Sequence, residues 1–131
     1  MSKHNAEVWL QQSASTANAL NLDAHMNLIS KKVALTGVPG YGAIGYAEWH
    51  ASCEHEFSNK ILKQVTYQGF KLIVETASHV MFKTYETVEG SDGKINAQGV
   101  EILLELEADG VWRLIQERVL SAAETAHAKL V

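Results

Sequence analysis

The sequence is poor in the residues that staple or stiffen a chain: its 131 residues include one cysteine, Cys53, and one proline, Pro39. A lone thiol has no internal partner, so no disulfide holds this fold, and the expected home is a reducing, cytoplasmic one. Charge of one sign is also missing. Eleven Lys and Arg stand against fifteen Asp and Glu, a formal net charge of -4, and the basic residues are scattered. There is no basic stripe to track a phosphate backbone, which argues against nucleic acid as a partner. Long apolar runs are absent too. Residues 1–20 carry Glu7, Gln11, Gln12, Ser13 and Asn18, so they read neither as a secretory leader nor as a membrane span, and no membrane partner is expected. What the chain does have is 47% apolar residues. At this length a single core buries roughly 65–70% of the surface exposed on unfolding, so one domain spanning 1–131 is expected.

Apolar residues in the first quarter recur at helical spacing: Ala6, Leu10, Ala14, Ala17, Leu20, Ala24 and Leu28. Asn18, Asn21 and Asp23 interrupt them with side chains that cap new helices, which predicts two helices with a bend near Asn21. Residues 32–36 then read as a strand closed by Gly37-Val38-Pro39-Gly40. Gly45, Trp49, Cys53 and Phe57, four apart beside a polar face, predict a third helix.

From Lys63 the period changes to two. Val65 and Tyr67 alternate with polar neighbours, and Gly69 interrupts the run as a bulge does. Val80, Phe82, Thr84, Glu86 and Val88 form one face of the next strand, and Val100, Ile102, Leu104 and Leu106 one face of the one after. The stretch 89–94 and the dipeptide Asp109-Gly110 are hairpin turns by composition, so these strands are antiparallel. The last strand, 111–120, is apolar on both faces, with Trp112 and Leu114 on one and Val111, Ile115 and Val119 on the other. The helices are too few to cover both faces, so the second cover is expected to be another copy of the chain. Ser121 and Glu124 have the spacing of a capping box, which predicts a short terminal helix.

This order of elements resembles the nuclear transport factor 2-like superfamily, which includes the ketosteroid isomerases and SnoaL-like polyketide cyclases. Residues 21–30, NLDAHMNLIS, followed by Val33-Ala34-Leu35, are similar to its second helix and first strand. Val38-Pro39-Gly40 is similar to its proline turn, and Asp109-Gly110-Val111-Trp112-Arg113-Leu114 to its last hairpin. The resemblance implies an α+β fold in which a curved antiparallel sheet wraps around N-terminal helices, a cystatin-like α+β cone. It also implies an interior pocket for a small organic ligand and a homodimer through the outer sheet face. The isomerase groups are not matched. Gly37 or Val38 stands where that family has its proton-moving Asp, Gln12-Ser13-Ala14-Ser15 where it has a Tyr, and Val100, Ile102 and Leu104 where an acid is expected. Lys31-Lys32 replaces an acidic pair at the end of the second helix. Steroid isomerisation by that mechanism is therefore not expected.

Two short motifs carry other chemistries. Gly40-Tyr41-Gly42-Ala43-Ile44-Gly45 matches G-x-G-x-x-G between a strand and a helix. No acid follows near residues 60–64 to hold a ribose, and a meander replaces the second βα unit, so no nucleotide cofactor is expected. His50, Cys53 and His55 have metal-binding atoms, but five residues turn His55 about 140° away from His50, so no metal is expected either.

Candidate site residues follow from phase. In the last strand Trp112, Leu114, Gln116 and Arg118 share the inward face if alternation holds, making Arg118 an anchor for an anionic ligand or the partner of a carboxylate such as Glu86. With the phase reversed, Arg113 and Glu117 face inward instead. Trp49 and Tyr67 line the pocket, Tyr46 adds a phenol, and His50 is the candidate general base or acid. The expected function is small-molecule binding. The alternatives are an isomerase, cyclase or dehydratase acting on an apolar ring compound, and a non-catalytic dimerisation module in which Leu103 and Ile115 matter most.

Overall fold

Residues 6, 9, 10, 13 and 17 fall on one side of a helix, and α1, Ser2–Asn18, buries all five. This is seen in a computed structural model that describes residues 2–130, with side chains from Asn5 onward. The stripe is wider than the sequence spacing suggested, because Trp9 and Ser13 join it while Ala14 is only half-buried. Trp9 satisfies its indole N–H by donating to the Leu28 carbonyl at 3.2 Å, as a buried Trp must. α1 stops where Leu20 takes a left-handed φ of 55°, with the amide of Asn21 reaching back to the Thr16 carbonyl. Asn21 then caps α2, Leu22–Met26, its side chain accepting from the Ala24 amide. The predicted bend is present.

β1 runs Ile29–Thr36, three residues longer at its start than the sequence reading. After the Gly37–Gly40 turn comes α3, Tyr46–Ser58, where the Glu48 carboxylate accepts from the Gly45 amide at 2.9 Å. Cys53 and Phe57 are its buried residues. Four long strands follow: β2 (Leu62–Glu75), β3 (His79–Gly90), β4 (Ile95–Leu106) and β5 (Trp112–Val119). The sheet order is β1-β5-β4-β3-β2. Consecutive strands β2 to β5 pair antiparallel, and β1 returns parallel to β5. The edge strand β2 is pinned to α1 by Asn18, whose side chain accepts from the Val65 amide at 2.7 Å and donates to its carbonyl at 3.2 Å. One side chain thus satisfies backbone groups that an edge leaves unpaired.

Register explains the two faces. Phe70, Thr84, Val100 and Val119 form one cross-strand row, and Leu72, Phe82, Ile102 and Glu117 another. Thr84, Val100, Phe82 and Ile102 are at most 1% exposed, so these rows face the helices and form the core. Nearer the cone mouth the inward row is Tyr67–Glu86–Gln98. The bulge expected at Gly69 is present as a register shift between Gln68 and Phe70, with φ +71° at the glycine.

A second bulge was not visible in the sequence. Leu104 pairs with Leu114 but Leu103 pairs with Gln116, so Ile115 is an extra residue in β5. Trp112 and Leu114 keep the inward phase, and beyond the bulge Glu117 and Val119 take it over. Strict alternation placed Gln116 and Arg118 inside; the inserted residue flips both to the outer face.

α4, Ala122–His127, carries the predicted capping box between Ser121 and Glu124. It lies on the outer face of β4, where Thr125 occupies the space a side chain at Gly99 would need. Leu120, Ala128 and Leu130 form a small second core there against Tyr85. Part of the cover expected from another copy is thus supplied by the chain itself. The outer row Val74–Met81–Leu103–Gln116 lies beyond it. No helix among the described residues is long and apolar enough to cross a membrane.

Candidate functional site

Inside the cone, between α1, α3 and the concave face of the sheet, is a cavity of about 130 Å³. Trp9, Trp49, Phe57 and Tyr67 supply aromatic wall, and Ser13, His25, Glu86 and Glu117 supply polar groups. No Lys or Arg lines it among the described residues.

Each polar group is placed by its element. Ser13, on the buried stripe of α1, shares a hydrogen bond of 3.1 Å with the Tyr67 hydroxyl on β2. Glu86 sits between Tyr67 and Gln98 in the mouth row, and hydrogen bonds from both favour its ionised form. Burial works against them and leaves its carboxyl above the ordinary range. Glu117, delivered inward by the bulge, is 7% exposed. Burial, reinforced by the nearby charge of Glu86, pushes its carboxyl well above the ordinary range. The Tyr67 phenol is likewise raised, first by burial and then by the Glu86 and Glu117 charges, so it stays protonated. His25 is buried with Nδ1 2.9 Å from the Thr16 hydroxyl, and burial lowers its pKa, so it adds no positive charge near neutrality. Burial pushes the Cys53 thiol up to about 12, which makes it inert as a nucleophile.

Two carboxyl groups in one apolar cavity cannot both ionise cheaply. Their environments differ: Glu86 has donors aimed at its anion, whereas Glu117 has neither a hydrogen bond nor an ion pair among the described residues. The donors aimed at its anion make Glu86 the easier of the two to ionise, and burial without a partner makes Glu117 the harder. The arrangement therefore presents two carboxyl groups of unequal acidity and one phenol to a ligand.

The residues singled out in the sequence are divided among several places. Trp49 and Tyr67 line the cavity. Tyr46 and His50 lie together elsewhere, in a polar cleft of about 430 Å³ shared with Lys31 and Arg113. There the Lys31 ammonium sits 4.6 Å from the centre of the Tyr46 ring, and Arg113 is engaged by Asn27, Glu107 and Asp109. Trp112 packs against the core without lining the cavity. Gln116 is exposed. Arg118 is held outside by Glu124 at 2.8 Å and Glu101 at 3.4 Å, so its partner is not Glu86 and no cation stands in the cavity to anchor an anion. Of the reversed-phase pair, Glu117 is inside and Arg113 is not. Among the described residues no group of three His, Cys, Asp or Glu side chains is arranged to hold a metal ion.

The sequence reading did not place Trp9, Ser13 or His25 in the site. Ser13 was legible only as a small residue at helical spacing from Ala6 and Ala17. Glu86 carried a clearer signal, a carboxylate in the alternating row Val80, Phe82, Thr84, Val88.

No protein-family pattern and no curated protein sequence matches the chain. Solved structures do resemble it. An NTF2-like protein of unknown function from Shewanella oneidensis superposes with a TM-score of 0.76 at 15% identity, covering 91% of this chain and 98% of that one. A protein with a cystatin-like fold from Nostoc punctiforme gives 0.68 at 12% identity, covering 89% and 88%. A ketosteroid isomerase-like protein from Erwinia carotovora gives 0.60 at 18% identity, covering 88% and 93%. At such identities the likeness speaks for the fold and not for activity. The chain has the cystatin-like α+β cone fold of the nuclear transport factor 2-like superfamily.

Proposed function

We propose that residues 1–131 act as one cytoplasmic domain that binds a small organic molecule inside the cone and moves a proton on it. The observation that carries this reading is the cavity in which Glu86, with donors aimed at its carboxyl, and Glu117, buried with no partner among the described residues, stand together. Glu86 is the general base, its anion held ready by donors from Tyr67 and Gln98, and the same carboxyl, once it has taken the proton, returns it to the ligand, while Glu117 positions the ligand beside it. Removing a proton at one position and returning it at another, to carbon or to a leaving hydroxyl, is isomerase or dehydratase chemistry, and it needs no cofactor. The ligand is small: an apolar cavity of about 150 Å³ accepts one benzene ring, and this one is about 130 Å³.

The test uses cyclopentanone, a ring of matching size with an acceptor oxygen and acidic C–H bonds. In D₂O the protein should accelerate deuterium uptake next to the carbonyl, and Glu86→Gln should return the rate to that of buffer. Equal rates for wild type and Glu86→Gln would remove Glu86 as the base.

A homodimer has separate support. In the outer row Val74–Met81–Leu103–Gln116 the first three residues are apolar, Val74 is 50% exposed, and α4 packs elsewhere, over Gly99 of β4. Leu103→Glu should halve the mass measured by light scattering. An unchanged mass would place the contact elsewhere.

A further inference from the structure

The cavity is lined by carboxyl groups, with no Lys or Arg among the described residues to balance them. Glu117 is 93% buried by its 7% exposure, points into the cavity, and has no hydrogen bond or ion pair among the described residues. The groups facing it from every packed element are acids or neutral: Glu86 from β3, Tyr67 from β2, Ser13 from α1, His25 from α2, Cys53 from α3. A further carboxylate, Glu56, stands on the exposed side of α3 and also lines the cavity. A buried carboxyl with no partner is costly to keep, and the protein keeps it aimed at a space the size of one small ring.

We propose that the ligand of this cavity is a small organic cation, a ring-sized or branched alkyl ammonium, whose charged nitrogen is the missing partner of Glu117. The inference deepens the proposed function and rests on its reading of the cavity as the ligand site. An ammonium brings the donors that a carboxylate lacks here, and the charge-assisted bond is stronger than any a neutral ligand offers. Trp9, Trp49 and Tyr67 line the cavity, and aromatic wall suits both an organic cation and the apolar body of the ligand. Glu86 adds its charge inside the same cavity and Glu56 at its edge, so cations are drawn in and anions repelled. The proton that Glu117 holds in the free protein leaves to solvent when the ammonium arrives: one proton released, one ion pair formed.

Three compounds of like shape test this: cyclopentylamine as its ammonium, cyclopentanol and cyclopentanecarboxylate, titrated calorimetrically at pH 7 in two buffers of different ionisation enthalpy. Cyclopentylammonium should bind about tenfold or more tighter than cyclopentanol, with close to one proton released per ligand, and the carboxylate should not bind. Glu117→Gln, of nearly the same shape, should lose both the preference and the released proton, and Glu86→Gln, which removes the charge that helps hold that proton, should keep the preference for the ammonium with a smaller proton release. If cyclopentanol binds as tightly as the ammonium, or the ammonium binds with no proton released, the cation assignment is wrong and the cavity still stands as a ligand site. If none of the three binds, both the assignment and the cavity reading are overturned.

Discussion

Glu86 on β3 and Glu117 on β5 line one cavity that no Lys or Arg among the described residues enters, and the charge of the first helps hold the proton on the second. A pair that binds its proton more tightly folded than unfolded stabilises the fold fully below the ordinary carboxyl range. That contribution is lost as pH rises through the raised folded values. Glu117→Gln should therefore melt a few degrees above wild type at pH 8 and converge with it toward pH 4, as followed by circular dichroism. A variant that melts lower than wild type at pH 8 would mean the carboxyl is needed for folding.

Arg118 is predicted to serve stability and not ligand binding. Its contact with Glu124 ties β5 to the start of α4, and the guanidinium holds the Glu124 carboxyl down at about 2. A depressed folded value gives stabilisation that is present above the ordinary carboxyl range and lost as pH falls toward 2. Arg118→Ala should lower the melting temperature at pH 7, by less as the pH approaches 2, and leave cyclopentylammonium affinity unchanged. A large loss of affinity would return Arg118 to the site.

The opposite fates of Trp112 and Arg118 show what the sequence could and could not reveal. Period-two patterning, the Asp109-Gly110 turn and the Ser121–Glu124 box made the element order and sheet faces legible, because each is a local property of the chain. Phase beyond Leu114 was not legible. Ile115 is extra by pairing alone, and its apolar side chain looks the same in a regular strand as in a bulge. That single residue moved Gln116 and Arg118 out and Glu117 in, reversing the charge of the cavity from the anion anchor expected to an acid pair. Tyr46 and His50 were assigned to the pocket, yet their side of α3 meets Arg113 and Lys31 and not the cone interior.

The Ser13–Tyr67 bond joins α1 to β2 at the cavity wall. Tyr67→Phe should cost about 1 kcal/mol of stability in urea unfolding, and Ser13→Ala a similar amount. Because they lose the same bond, the double variant should cost clearly less than the sum. Strict additivity would show that the two hydroxyls do not depend on one another.

Gly37 closes β1 with φ +84°, and a β-carbon there would lie 2.5 Å from the Val119 carbonyl oxygen. Both the angle and the contact oppose any side chain. Gly37→Ala should destabilise by about 2–4 kcal/mol in chemical denaturation, whereas Gly42→Ala, with nothing within 4 Å, should stay within about 0.5 kcal/mol of wild type. Equal effects at the two positions would remove the close approach of Gly37 to β5.

The most direct measurement is a carbon-13 NMR titration of the glutamate side-chain carboxyls, with Glu86→Gln and Glu117→Gln used for assignment. The account predicts that Glu117 is still protonated at pH 7 in the free protein, that Glu86 titrates before it, and that replacing Glu86 by Gln lowers the value for Glu117. Both carboxyls titrating in the ordinary range, unaffected by one another, would contradict it.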